Sequence, residues 1–374
     1  MGEGDLVLII VIAVALAFDY TNGFHDTANV VATSISTRAL PPRAAVGIAA
    51  LLNFVGAFIS LEVAATVAND VVDPEAVTTT IIFAGLIGAI AWNLITWYFG
   101  LPSSSSHALI GGVVGAVFVA AGASAVLGDG VLGKVIVPAL VAPILAFVVA
   151  GLAITAAYRI VGRLRPGPVT NGYRLGQLAS GGILALAHGT NDAQKTMGVI
   201  LLALIANGNL GAGAEVPLWV VISAATAIAL GTYSGGWRII RTMGTRIHKM
   251  DSAQGFSAQG AGAVVILAAS QVGYPLSTTH VISGGVMGAG AAKRLSAVRW
   301  GVASNMIVAW VLTLPGAAAI GAATYGLTRL FGTGAVGPIV VTVAIVAVIT
   351  TAFVRRARDL SLSGDAQAPA AEAS

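Results

Sequence analysis

The stretch Asn22-Gly23-Phe24-His25-Asp26-Thr27-Ala28-Asn29 returns later in the chain as His188-Gly189-Thr190-Asn191-Asp192-Ala193-Gln194-Lys195, with Asp26 and Asp192 166 residues apart. Both copies lie inside apolar sequence. A second pair follows in the same order, Pro102-Ser103-Ser104-Ser105-Ser106-His107 and Pro275-Leu276-Ser277-Thr278-Thr279-His280, its histidines 173 residues apart. A glycine pair comes after each, Gly111-Gly112 and Gly284-Gly285. Matching order and nearly matching spacing mark an internal duplication. Hydroxyl-rich interruptions at corresponding places in two apolar halves are the sequence pointer to a transporter's binding site.

Composition sets the class. The chain is 57% hydrophobic and 9% charged, with 47 glycines, and its mean hydropathy is +0.90. A soluble domain carries about 25% charged residues. The apolar runs are long enough to cross a bilayer, which takes about 20 helical residues. There are no cysteines, which excludes disulfides, thiolate metal sites and cysteine nucleophiles. The first run, Leu6 to Phe18, follows Glu3 and Asp5 rather than a basic stretch, so it reads as a retained membrane helix and not a signal peptide. The formal charge of +4 carries no nucleic-acid signal, because the basic residues sit where a membrane protein needs them.

Lysine and arginine gather at Arg38 to Arg43, Arg159 to Arg174, Arg238 to Lys249, Lys293 to Arg299 and Arg355 to Arg358. Loops at Asn69 to Val77, Ser124 to Lys134, Asn207 to Pro217 and Gly332 to Pro338 carry few or none. With the basic group cytoplasmic, the N-terminus lies outside and the C-terminus inside. Full crossings then fit 6–37, 45–68, 135–157, 175–207, 218–236, 300–324 and 338–354. Segments 79–123 and 257–292 each start and end on one side, as re-entrant hairpins tipped by the Pro-Ser/Thr motifs. The expected fold is an all-α polytopic protein of the inner (plasma) membrane, with inverted-topology repeats at 1–158 and 175–354. A cytoplasmic linker, 159–174, joins the repeats, and 355–374 is a disordered tail. Segments 6–37 and 175–207 exceed 30 residues and carry their polar motif centrally, as helices broken within the membrane would.

The hairpin tips are the anion candidates. After Pro102 a new helix is expected near Ser105 or Ser106; serine and threonine are favoured N-caps, and a helix start offers unpaired N–H groups with partial positive charge. An oxyanion there gains donors without a full positive charge in the membrane. The carboxylates are the cation candidates, since each costs about 2.5–3.5 kcal/mol at bilayer depth and is functional by default. Asp26 with Asn29, and Asp192 with Asn191 and Gln194, offer hard oxygens suited to Na⁺ or a proton rather than a transition metal. Lys195 pairs with Asp192 or contacts the anion. His25, His107, His188 and His280 adjoin the motifs and could carry protons. Glu62, midway along 45–68, reads as a further buried carboxylate, and Asp19 as an intramembrane residue without an assigned role.

These motifs resemble the inorganic phosphate transporter (Pit) family of secondary carriers, through Gly23-Phe24-His25-Asp26-Thr27-Ala28-Asn29, Gly189-Thr190-Asn191-Asp192, Pro102 to His107 and Ser277 to His280. The His25-Asp26-Thr27-Ala28-Asn29 form is similar to the bacterial, low-affinity branch. The resemblance implies phosphate symport, driven by protons in many bacterial members and by Na⁺ in others, with phosphate carried in some as a neutral complex with a divalent metal. It implies phosphate contacts at Ser104, Ser105, Ser106, Ser277, Thr278 and Thr279, to which the reading of the residues adds Gln194 and Lys195. It implies cation positions at Asp26, Asn29, Asn191 and Asp192, which would be metal ligands under Na⁺ coupling; His25 and Glu62 join them from the residue reading. His25 and the bacterial motif favour protons. Some relatives have a second-half acidic residue matching Glu62, and this chain lacks it. No covalent cofactor is expected. Inorganic phosphate and the bilayer are the expected partners, with a homodimer as a further option and no nucleic acid.

Two classes other than transport weigh less. Ser106, His107 and Asp26 contain the residue types of a hydrolase triad, but no Gly-x-Ser-x-Gly elbow occurs and every candidate is duplicated. A purely structural scaffold leaves the buried carboxylates unexplained. The nearer rival is a carrier of sulfate or another tetrahedral oxyanion on the same frame. The topology has a direct test in this cysteine-free chain: a single cysteine within 69–77 should react with an impermeant maleimide from outside, and one within 159–174 only from the cytoplasm. Labelling of both from one side would refute the arrangement.

Overall fold

A computed structural model describes residues 2–332 and 334–348, together with residue 351; the tail expected at 355–374 lies outside them. Among the described residues the regular structure is helical, apart from an isolated bridge between Val72 and Val126. The helices are α1 (Glu3–Ser36), α2 (Pro42–Gly56), α3 (Glu62–Asn69), α4 (Thr79–Phe99) and α5 (Ser105–Ala121), then the single turn α6 (Gly128–Gly130), which leads into α7 (Val137–Val161). The second half contributes α8 (Pro166–Ala206), α9 (Leu218–Ser234), α10 (Trp237–Arg241), α11 (Ser252–Gln271), α12 (Thr278–Lys293) and α13 (Trp300–Arg329), followed by the short apolar α14 (Val336–Val348).

The polar motifs do not break their helices. α1 and α8 run unbroken for 34 and 41 residues, and most of the expected linker 159–174 belongs to α7 and α8. The motif glycines serve helix crossing instead. A Cβ on Gly23 would lie 2.3 Å from the Ile228 carbonyl oxygen of α9, and one on Gly189 would lie 2.1 Å from the Asn53 carbonyl oxygen of α2. The breaks fall in the partner segments. The expected crossing 45–68 is interrupted between α2 and α3, and α9 meets the helix over Trp237–Arg246 at a 59° bend.

α1 and α8 lie antiparallel. Gly4 sits beside Asn207 at one end, and Thr37 Oγ1 donates to Gln177 Oε1 at the other (2.7 Å). The hairpins α4–α5 and α11–α12 enter from opposite ends of this pair. Thr78 to Thr80 share a cavity with Glu3, whereas Gly255 packs against Gln177 and Thr37. Apolar residues form two clusters. One takes Val7 to Phe18 and Ala193 to Leu204; the other takes Ala28 to Ala32 and Leu184 to Ala187. The residues between, 19–27 and 188–192, form the polar layer.

Each hairpin is covered by a helix from the other half: α13 packs on α4 and α5, and α7 on α11 and α12. The glycine pairs make this possible. A Cβ on Gly111 would meet the Leu314 carbonyl of α13 at 2.4 Å, and one on Gly284 the Pro143 carbonyl of α7 at 2.2 Å. The second glycine of each pair faces its own hairpin partner, Gly112 against Gly85 and Gly285 against Ala258. Small residues spaced this way let helices pack without the hydrophobic drive that water supplies.

Gly189→Val should therefore force α2 and α8 apart. Overpacking of this kind costs about 1–3 kcal/mol or more, read as a lower thermal midpoint in detergent. An unchanged midpoint would show that the crossing is looser than these contacts require.

Candidate functional site

α5 and α12 both start in the middle of the molecule. Ser104 Oγ accepts from the His107 amide (3.1 Å), and Ser277 Oγ from the His280 amide (3.3 Å). These two serines, expected as anion contacts, are N-caps. The next hydroxyls, on Ser105 and Ser106 and on Thr278 and Thr279, fall in the first turns, where the backbone N–H groups lack intrahelical partners. The tips meet: the His107 and His280 rings are 4.9 Å apart, and His280 stacks on Trp310.

Between the tips lie the carboxylates. Asp26 Oδ2 accepts from Ser105 Oγ (2.7 Å) and from Thr278 Oγ1 (3.4 Å). Thr278 Oγ1 is also 3.2 Å from Asp192 Oδ2, so it stands between the two acids. Lys195 Nζ donates to Asp192 Oδ1, to Ser106 Oγ and to the Leu276 carbonyl. One ammonium thus ties α8 to both hairpins. Ser106 Oγ itself donates to the Leu276 oxygen at 3.0 Å. Asp26, Asp192 and Lys195 are buried.

Each acid has a histidine. His25 Nδ1 is 2.5 Å from Asp26 Oδ1. His188 Nε2 is 3.0 Å from Asp192 Oδ2 without being aligned for a hydrogen bond. Ligand atoms of Asp26, His188 and Asp192 lie within 4.8 Å of one another, a spacing that fits a shared cation. Asn29 Nδ2 donates to Thr278 and Thr279, and the Oδ1 atoms of Asn29 and Asn191 have no hydrogen-bond partner among the described residues.

Around this centre the halves use different residues for one task. His25 Nε2 lies 3.2 Å from Thr96 Oγ1 in the first hairpin; Asn191, its counterpart, donates to Ser270 Oγ and the Tyr274 carbonyl in the second. Each anchors the hairpin of its own half. Asn53, not singled out in the sequence, is buried and links His188 to Thr232; a lone amide within apolar α2 was the available signal.

Two expectations change. Gln194 Oε1 accepts from the Val63 and Ala64 amides, and its Nε2 donates to the Thr190 carbonyl. It caps α3, whose first amides need an acceptor, rather than facing the tips. Glu62 is exposed in the first turn of α3, because the chain breaks just before it; a carboxylate is favourable at a helix start, and it lies apart from the central acids. The triad alternative also fails on contacts. Ser106 bonds to Lys195 and Leu276, His107 packs on His280, and Asp26 is held by Ser105 and His25.

The family model described as the phosphate transporter family matches residues 22–173 and 163–321. Proteins described as probable low-affinity inorganic phosphate transporters are similar along most of the chain. That of Mycobacterium bovis is 50% identical, covering 87% of this chain and 78% of its own; that of Rhizobium meliloti is 49% identical, covering 85% and 96%; that of Bacillus subtilis is 44% identical, covering 87% and 99%. A solved structure described as the sodium-dependent phosphate transporter superposes with a TM-score of 0.78 at 25% identity, over 87% of this chain and 99% of that one.

Removing one partner of a buried ion pair costs about 3–5 kcal/mol, because the other charge is left unpaired. Lys195→Met should lower the thermal midpoint sharply, and adding Asp192→Asn should restore part of the loss. A double variant no more stable than Lys195→Met alone would refute the pairing.

Proposed function

The chain belongs to the phosphate transporter family, and we propose that it imports inorganic phosphate as a symporter, binding the anion between the starts of α5 and α12. The observation that carries this reading is the meeting of two capped helix starts at a buried lysine. Ser105, Ser106, Thr278 and Thr279 supply hydroxyl donors, the first amides of both helices add partial positive charge, and Lys195 adds a full one. Desolvated charge-assisted hydrogen bonds of this kind hold an oxyanion firmly. Sulfate fits the same donors, but a protonated phosphate can also donate, and Asp26 and Asp192 are acceptors at the place where it would sit.

Coupling follows from charge. Asp192 pairs with the Lys195 ammonium while Asp26 is held by Ser105, and an incoming anion adds negative charge at a depth where it is costly. A cation must accompany it. Histidines beside both acids support protons, since an imidazole next to a carboxylate is a proton-exchanging pair. A second reading, Na⁺, has its own support in the superposed transporter, which is described as sodium-dependent, and in the free oxygens of Asn29 and Asn191. A divalent metal carried with phosphate would be cargo, and Asp26, His188 and Asp192 are the residues spaced to meet it. The repeats are proposed to lie inverted in the inner membrane, with the Glu3 end of α1 outside.

Uptake into proteoliposomes tests this. Phosphate uptake should follow an inward proton gradient without Na⁺, collapse with a protonophore, and exceed sulfate uptake. Ser105→Ala with Thr278→Ala should reduce it at least 100-fold, equivalent to about 2.7 kcal/mol shared by two hydrogen bonds. Uptake that requires Na⁺ at every pH would transfer the coupling role to sodium, and wild-type phosphate affinity in the double variant would remove the proposed anion site.

A further inference from the structure

Asp19 is fully buried on α1, and neither carboxylate oxygen has a hydrogen-bond partner among the described residues. Asn22 and Thr196 flank it. Asn22 Oδ1 and Thr196 Oγ1 are buried and likewise without partners. Four buried oxygens thus gather between α1 and α8, none in a well-formed hydrogen bond; three of them can only accept, and the Thr196 and Asn22 side chains are the neutral donors within reach of the carboxylate.

Lys195 makes no hydrogen bond to this group. Its three N–H donors are already used by Asp192, Ser106 and Leu276. A water could satisfy Thr196 and Asn22, but not the charge, and an uncompensated buried carboxylate is far costlier than an unmet hydrogen bond. A small cation answers both needs, because carboxylate, amide carbonyl and hydroxyl oxygens are hard ligands.

The duplication shows that the fold does not require an acid or a hydroxyl at these positions. In the register that equates Asp26 with Asp192, Asp19 corresponds to Ala185 and Thr196 to Val30, both buried and apolar. At those two positions one half has aliphatic groups where the other has a carboxylate and a hydroxyl, while Asn22 has the polar counterpart His188. Asp19 lies two helical turns from Asp26, about 10 Å along the axis, toward the Glu3 end. It is therefore distinct from the central acids.

We infer that Asp19, Asn22 and Thr196 form a second cation site, for Na⁺ or a proton, which loads one coupling ion beyond those held at Asp26 and Asp192. The inference rests on the symport reading above. It predicts a change in stoichiometry rather than in phosphate recognition.

The experiment is the reversal potential of labelled phosphate flux in proteoliposomes, measured under imposed Na⁺ gradients and, separately, under pH gradients. Asp19→Asn should lower the number of cations moved per phosphate by one in whichever arm supplies the ion, with the phosphate Kd in detergent changed less than threefold. Asp19→Ala with Thr196→Val copies the packing of the other half and should fold even if Asp19→Asn does not; the same loss of one cation is expected. An unchanged stoichiometry in the variant that folds overturns the site, as does a loss of phosphate binding equal to the loss of transport. Absence of phosphate uptake by the wild-type protein would instead defeat the symport reading, so the two failures are distinct.

Discussion

A single ammonium holds the centre of this molecule together. Lys195 sits on α8, yet its donors reach Asp192 on the same helix, Ser106 at the start of α5 and the Leu276 carbonyl before α12. Without it two hairpin tips with exposed helix starts, each carrying partial positive charge, would face one another across a pair of carboxylates. The lysine compensates one acid and gives both tips a common anchor. A buried pair of this sort is weak evidence for stability in itself; its value here lies in fixing where the tips stop. The proposed anion site depends on that register.

The tips can reach the centre only because the surrounding helices pass very close to one another. Gly111 and Gly115 bring α5 onto α13, and Gly284 and Gly288 bring α12 onto α7, with each glycine Cα set against a carbonyl of the crossing helix. Each half therefore supplies the wall for the other half's hairpin. Neither has its full set of neighbours without the other, so the sequence repeats are not separate packing units.

Much of this could be read from the chain. The hairpins, their tips and the paired acids follow from the placement of proline, serine, threonine and aspartate in apolar sequence, because each is costly in a membrane unless paired. The helix breaks lie elsewhere than the motifs suggest, for a physical reason. A glycine within a polar motif suggests an interrupted helix, but Gly23 and Gly189 sit inside continuous helices and serve close approach, while Phe58 to Leu61, with little polar character, is where the chain leaves the helix. The error at Glu62 follows from that, since a residue midway through a straight helix is buried and one at a break need not be. Gln194 fails differently. Its spacing from Asp192 puts it near the site, and only the tertiary contact with α3 shows that its carbonyl is used as a cap.

The duplicated halves have diverged in charge while keeping their geometry. Asn29 and Lys195 stand at equivalent places and both reach toward hairpin hydroxyls; one offers an amide, the other an ammonium. His25 and Asn191 both tether a hairpin, but one is an imidazole and the other an amide. Asp19 faces no acidic counterpart at Ala185. Such differences would be neutral in a scaffold, where symmetry serves packing alone. In a carrier they matter, because two conformations related by pseudo-symmetry would be equally stable if the halves were identical in charge. An ion that binds one half better shifts that balance only by its differential affinity for the two states. Placing Lys195, Asp19 and His25 on unequal sides would give bound ions such a difference to act on.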